Sequence, residues 1–425
     1  MAGIQSELKL KTEKLGPAFN RLFSASVISN LADGLLAIAA PLLAITLTKD
    51  PILISMMSAL VMLPWLLFAI PIGLIVDRVD KRLFITYTNS LRFIISGLLA
   101  LAISTDFITI YWLFLAAFLI GICEVASDTA AQSLIPVILE KKHYEHANSR
   151  ISTAETVIQN FIGAPLSGFL YAIAIVLPFA LNSLGFLVAA IFVFLIPAHL
   201  VAQEREIQDV NDEKASFITE IKFGLSYLWN DEKLKYLVIF GTSVAFFFSL
   251  ATSTTILFIT EVLDTDPKFF GVFMAITGAG AVISSLLTPA LSKKLGRGNV
   301  LSWAILLASV TILLQGLSSN IWIYTFIGFI SAFVITNWNI LLMSIYQVII
   351  PANLYGRIHG ARRTFIWGVM PIGALLGGVI ARGDLRLPLL VGGLATTIIT
   401  TFSFSFINRL GRETSQGDHE AASQD

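Results

Sequence analysis

Gly73-Leu74-Ile75-Val76-Asp77-Arg78-Val79-Asp80-Lys81-Arg82 ends in six residues of which five are charged, and it joins two long apolar runs, Ile52–Val76 and Leu83–Ser104. Crossing a hydrocarbon layer of ~30 Å takes about 20 apolar residues at 1.5 Å each, and both runs reach that length. The segment therefore reads as a short charged loop between two membrane-spanning helices. Outward from it, the same alternation of apolar run and polar break recurs along the chain. In the first half the spans are Ala18–Leu47, Ile52–Val76, Leu83–Ser104, Phe107–Ile135, Asn148–Ala174 and Val176–Pro197. In the second half they are Leu234–Glu261, Phe269–Leu291, Val300–Leu317, Ile321–Ile350, Ile358–Ala381 and Leu387–Ile407. Almost nothing polar separates the fifth run from the sixth.

Composition agrees. Of 425 residues 56% are hydrophobic and only 13% charged, about half the charged fraction of a soluble domain. Mean hydropathy is +0.80. Basic and acidic residues balance at 28 each, so nothing points to nucleic acid as a partner. One cysteine, Cys123, excludes an internal disulfide and a cysteine-rich metal cluster. Lys9, Lys11 and Lys14 precede a first apolar run with no cleavage site after a short core, so this run is expected to stay as an uncleaved first helix.

The basic residues test the map independently. With the amino end inside, all but five of the 28 fall in inner segments; Lys49, Lys268, Arg382 and Arg386 lie outside, and Arg92 alone lies within a span. The positive-inside rule then places both termini in the cytosol. The longest polar break, 198–233, divides six spans from six. Within it Phe217, Ile218, Ile221, Leu225, Leu228 and Trp229 recur at helical spacing, the pattern of a short helix lying on the inner membrane surface. The expected organisation is a cytosolic segment 1–17, a six-helix bundle 18–197, the linker 198–233, a second bundle 234–408 and a disordered cytosolic tail 409–425. The halves also repeat. PALSKKLGRG at 289–298 answers GLIVDRVDKR, Arg357-Ile358 answers Arg150-Ile151, and Pro371, Gly373 and Gly377 answer Gly163, Pro165 and Gly168. Carriers are commonly built from such repeats, with a site between them.

The decapeptide at 73–82 resembles the hallmark loop of the major facilitator superfamily, G-x-L-a-D-r-x-g-r-r, placed where that family has it, between the second and third of twelve helices. The resemblance covers the whole chain. It implies an all-α membrane protein of two pseudo-symmetric six-helix bundles, not an enzyme, working by alternating access. Asp80 departs from the preferred glycine and resembles the branch of macrolide-efflux pumps and siderophore exporters, as do Ser133-Leu134-Ile135-Pro136 and Ala147-Asn148. Gly73 would let the second helix approach a neighbour closely. The resemblance implies that Asp77 meets the positive amino end of the eleventh helix and latches the halves, with Arg78 and Arg82 holding Asp77 or lipid phosphates. Gly163, Pro165, Ser167 and Gly168 resemble the exporter motif g-x-x-x-G-P-x-x-G-G, with Ala164 and Phe169 replacing two glycines; close helix packing explains the same residues equally well. The family's first, fourth, seventh and tenth helices line its cavity. Here their middles offer Asn30, Asp33, Glu124, Phe246, Phe247, Asn337, Trp338 and Asn339, a set suited to an amphipathic molecule.

Ionisable groups inside a bilayer are costly and point to function. Asp33 lies about 22 Å along the first helix. Glu124 and Asp128, four apart, share a face, with Asp128 roughly 10 Å deep and Glu124 about 6 Å deeper. Arg92 is about 13 Å into the third helix, level with Asp128, so the two are expected to pair, with Glu155 completing the cluster. That leaves Asp33 and Glu124 without a base. A carboxyl group withdrawn from water resists ionisation, and one exposed to alternating hydration can carry protons, so Asp33, Glu124 and Asp128 are the candidates for proton coupling. No nucleotide-binding loop or metal-ligand spacing is present, so no cofactor is expected beyond a proton gradient. The expected partners are a small-molecule substrate, protons and membrane lipids. One chain carrying both halves is expected to act as a monomer in the plasma (inner) membrane. The leading reading is proton-coupled efflux of a drug or secreted metabolite such as a siderophore. An importer of a small nutrient, or a lipid-handling or sensing protein, are the alternatives.

Overall fold

The computed structural model describes residues 15–76, 78–140, 143–198, 226–350 and 355–424, and among these every regular element is helical. The helices are α1 (Gly16–Leu47), α2 (Pro51–Val76), α3 (Lys81–Ser104), α4 (Ile110–Ile138), α5 (Tyr144–Thr156, Val157–Gly163 and Ala164–Ile173 in succession) and α6 (Val176–Phe194). In the second half they are α7 (Glu232–Thr252, continued by Thr255–Leu257 and Phe258–Val262), α8 (Phe270–Leu295), α9 (Arg297–Gly316), α10 (Ile321–Ile349), α11 (Tyr355–Ala381) and α12 (Leu387–Gln424). Each contains a stretch long and apolar enough to cross a membrane.

Polar residues in the breaks start several of these helices by accepting the orphaned N–H groups of the first turn. Asp80 accepts from the Leu83 N–H of α3 at 3.0 Å, Asp231 from Leu234 of α7 at 2.9 Å, and Asn320 from both Trp322 and Ile323 of α10 at 3.0 Å. The acidic residue that departs from the family loop is thus a helix cap. The narrow break between α5 and α6 is real: Ala174 is extended, and two residues separate the helices. Two features had no expectation. Val157–Gly163 in α5 and Phe258–Val262 in α7 are π-helical. In α5 the wide turn sits just before Pro165, which has no N–H to offer the preceding turn.

Packing divides the chain into two compact units. The described residues within Met1–Leu43 and Pro64–Lys214 form one, and those within Ala44–Leu63 and Ala215–Asp425 form the other. The first is built round Phe19 and Leu22 of α1, Val125 and Leu134 of α4, and Val193 of α6, all essentially inaccessible. The second centres on Leu237, Leu301, Ile345, Tyr346 and Ile407. Segment 44–63 therefore packs outside the expected first bundle, 18–197. The cause is local: Gly378 leaves room for the fully buried Ser55, Lys49 pairs with Glu261, and Arg382 donates to Asp50 at 2.8 Å.

The Arg382 hydrogen bond, then the Ile52 N–H at 2.9 Å, hold the Asp50 carboxyl below the usual carboxylate range. A carboxylate whose pKa falls on folding stabilises the fold above its unfolded pKa, and that contribution disappears as pH drops through the lowered value. Thermal midpoints of the wild-type protein and Asp50→Asn, measured from neutral pH into the acid range, should therefore differ at neutral pH and converge at the acid end. High salt should shrink the difference throughout, because the pair is exposed.

Two further expectations change. The last helix continues to Gln424 through the tail expected to be disordered; the stretch GRETSQGDHEAASQ contains the helix formers Arg, Glu, Gln and Ala. The expected surface helix at 217–229 is described only from residue 226. There 226–230 are helical and Leu228 is buried in the second core, while Phe217, Ile218, Ile221 and Leu225 lie outside the described residues.

Candidate functional site

Five helices of the first unit bring ionisable and polar side chains together around one guanidinium. Arg92 of α3 is fully buried (0% exposed). It forms an ion pair with Asp33 of α1, donates to the Ser29 hydroxyl at 3.2 Å, and lies 3.9 Å from a carboxylate oxygen of Glu124 on α4. Its charge sits over the Phe186 ring of α6, 3.9 Å from the centroid. The two acid side chains are 11% and 25% exposed. Asp128, one turn along α4, and Glu155 of α5 lie within electrostatic reach of Glu124, and Glu155 also within reach of Asp33.

This corrects the expected pairing. Arg92 turns to Asp33 and Glu124, not to Asp128, and neither Asp33 nor Glu124 is without a base. Matching depths rank candidates but do not say which way a helix is rotated. Glu124 is one turn beyond Asp128 on the same face, within range of a long, flexible Arg92.

The backbone carrying Asp33 is held from two sides. Asn182 of α6 donates to the Ala32 carbonyl at 2.6 Å, and Ser167 of α5 donates to the Leu35 carbonyl at 2.5 Å. Between them α1 and α5 cross at Gly34 and Gly163: a Cβ on Gly163 would lie 2.9 Å from the Gly34 Cα, closer than real side chains approach. The π-helical turn of α5 ends at this crossing. In the second unit α7 and α11 meet similarly. Gly373 and Gly377 lie against the Phe246 and Leu250 carbonyls, and Ser249 donates to the Met370 carbonyl at 2.7 Å. For Gly163, Gly373 and Gly377 close packing is what the structure places. Pro165 opens the last piece of α5, and Gly168 is buried.

The expected cavity residues part company. Asn30 folds back on its own helix, donating to the Ser26 carbonyl at 2.8 Å and its hydroxyl at 3.2 Å. Phe246 and Phe247 are half-buried, their rings edge to face at 5.1 Å. Asn337 is not a cavity residue. It is 2% exposed; it accepts from Thr288 at 2.8 Å and donates to Ser284 at 2.7 Å and to the Phe333 carbonyl at 3.0 Å, stitching α10 to α8. An amide in a span needs polar partners, and α8 supplies them. Trp338 belongs to the second core, against Phe240, whereas Asn339 is exposed.

In the family loop, Asp77 lies outside the described residues and Arg78 is exposed. A Cβ on Gly73 would meet nothing within 4 Å, so the expected close approach there is absent. Arg82 donates to the Phe194 carbonyl from Nε at 3.1 Å and from an Nη at 2.6 Å, and Arg21 donates to the Leu195 carbonyl at 2.5 Å. Both arginines thus satisfy the last carbonyls of α6, where the helix dipole favours positive charge. Sequence reasoning missed Ser29, Ser167, Asn182 and Phe186. Asn182 and Ser183, the polar pair inside the sixth apolar run, were the available signal.

Chemically, one permanently charged guanidinium faces four carboxyl groups. Fully ionised, the cluster would hold more negative charge than its single base offsets, and an uncompensated charge away from water is costly. Protons or a cation supply the balance.

Residues 22–375 match the profile of the Major Facilitator Superfamily. The chain belongs to this family of membrane transporters. Among relatives, it is 24% identical over 375 residues to an uncharacterized MFS-type transporter, YfiS, of Bacillus subtilis (strain 168), covering 85% of this chain and 86% of that one. It is 19% identical over 370 residues to macrolide efflux protein A of Streptococcus pyogenes, covering 85% and 89%. Among solved structures, it resembles the nucleoside transporter NupG with a TM-score of 0.70 at 12% identity, over 92% of this chain and 99% of that chain. A bacterial homologue of the iron transporter ferroportin, in its inward-facing state, gives a TM-score of 0.69 at 14% identity, over 93% and 100%.

Proposed function

We propose that this protein is a proton-coupled secondary transporter exporting amphipathic organic molecules across the plasma membrane, with both termini cytosolic. The observation that carries the reading is the buried Arg92 between Asp33 and Glu124, with two further acids in reach. Arg92 is close to Asp33 and at the limit of ion-pair range from Glu124, so the two acids compete for one base. A proton on Asp33 releases Arg92 toward Glu124; loss of that proton returns it. Coupled to alternating access, this exchange takes a proton from one side of the membrane and delivers it to the other. Export is favoured by the likeness to macrolide efflux protein A and by the exporter-like run in α5. The basic inner loops favour the orientation. The chain works alone, and the gradient is its energy source.

The test is flux in proteoliposomes under an imposed pH gradient, with erythromycin, ethidium and uridine as probes. A gradient should drive erythromycin or ethidium transport in the wild-type protein. Asp33→Asn and Glu124→Gln should reduce gradient-driven accumulation to background while leaving downhill exchange measurable. Wild-type flux indifferent to the gradient, or variants that accumulate like the wild type, would defeat proton coupling. Uridine transport without flux of the other probes would establish a nutrient importer instead.

A further inference from the structure

An apolar groove of about 450 Å³ opens on the second unit between α8, α9 and α10, far in sequence from the charged cluster. Leu291 and Leu295 of α8, Trp303 and Leu307 of α9, and Phe333 and Val334 of α10 form its walls. Two asparagines also line it, and neither offers a free amide. Asn337 is occupied by Ser284, Thr288 and Phe333, as described above. Asn299 donates to the Leu295 carbonyl at 2.9 Å, and its oxygen accepts from Asn408 at 2.8 Å and Arg412 at 3.3 Å. The interior therefore suits hydrocarbon, and its volume lies in the range of about 300–1,000 Å³ that holds a small-molecule ligand.

One end of the groove is basic. Lys293 and Lys294, both exposed, lie between the wall residues Leu291 and Leu295 on α8; Arg297 begins α9 two residues before Asn299; and Arg412 reaches Asn299. The nearby acid Glu413 is engaged by Lys233 at 2.8 Å. This end is where α8 and α9 stop being apolar, so in a bilayer it sits at the headgroup level. Trp303, 53% exposed and edge-on to Phe404 at 5.2 Å, forms the open rim.

We propose that this groove is a binding site for an anionic phospholipid of the surrounding bilayer. One acyl chain lies along Trp303 and Phe333, and the phosphate rests on Lys293 and Lys294. Charge selects the lipid: a zwitterionic headgroup fits the same hydrocarbon slot but gains less from the basic end. Shape separates the site from ordinary lipid contact, because a flat helix face has no slot to retain a chain.

The experiment reads Trp303 fluorescence, taken as the difference between wild-type protein and Trp303→Phe, in phosphatidylcholine nanodiscs doped with phospholipid brominated on its acyl chains. Brominated phosphatidylglycerol should quench this signal at lower mole fraction than brominated phosphatidylcholine. Lys293→Gln/Lys294→Gln should erase the preference, losing about fivefold in apparent affinity for each lysine. Both lysines are exposed, and size-exclusion profiles should show the variant folded. Equal quenching by the two lipids in the wild-type protein overturns the proposal, as does a preference that survives the double substitution. Displacement of the brominated lipid by erythromycin or ethidium, but not by unbrominated phosphatidylglycerol, overturns it too and marks the groove as a drug site.

Discussion

Arg92→Met should lower the thermal midpoint of the detergent-solubilised protein more than any other single substitution in the charged cluster. Arg92 is wholly inaccessible, and its removal leaves Asp33 and Glu124 without their shared base. Breaking a buried pair by deleting one partner costs about 3–5 kcal/mol, because the other charge stays buried. The Phe186 ring also loses the cation above it. A second variant separates stability from transport. Arg92→Met/Asp33→Asn removes both charges of the closest pair and should recover much of the lost stability while remaining inactive in gradient-driven flux. Size-exclusion chromatography after heating reads the first quantity and proteoliposomes the second. A wild-type melting profile for Arg92→Met would mean that the Asp33 contact contributes no energy, and the exchange of partners would then have no basis.

Gly34→Ala should be the second severe substitution, although it adds a single methyl group. The new Cβ would be driven into the Gln159 carbonyl and to 2.9 Å from the Gly163 Cα. Both are backbone atoms of α5, so no side chain can swing aside. Overpacking of this kind costs about 1–3 kcal/mol, and here it also displaces the turn that carries Asp33. Stability and transport should therefore fall together. Gly73→Ala is the control: the added methyl meets open space, so the thermal midpoint should not move. Equal behaviour of the two alanine variants would show that α1 and α5 do not cross this closely.

The twelve spans were legible because bilayer thickness imposes a minimum apolar length and a helix rises by a fixed amount per residue. Where spans began was legible too, since Asp231 and Asn320 are both good caps and the first polar residues before an apolar run. Depth along a helix followed from the same rise, and it brought Arg92, Glu124 and Asp128 to neighbouring levels. Rotation about each helix axis did not follow. Runs that are apolar all round carry little periodicity, so nothing said that Arg92 faces α1 as well as α4. Asn337 misled for the same reason. Its need for polar company was evident, but not that Ser284 and Thr288 on α8 would meet it. The wide turn in α5 was hidden more deeply, since Gly163 and Pro165 mark an irregular helix without saying which irregularity it adopts.

Arg92 has an electrical consequence as well. A guanidinium keeps its charge at any physiological pH, so the cluster cannot become neutral simply by filling its carboxyl groups with protons. Each proton entering or leaving it shifts the charge held part-way across the membrane, and displacement of one elementary charge through the full field is worth about 2.3 kcal/mol per 100 mV. On the proposed exchange, a cell with a collapsed voltage but an intact acidity difference would therefore run this carrier on only part of its driving force.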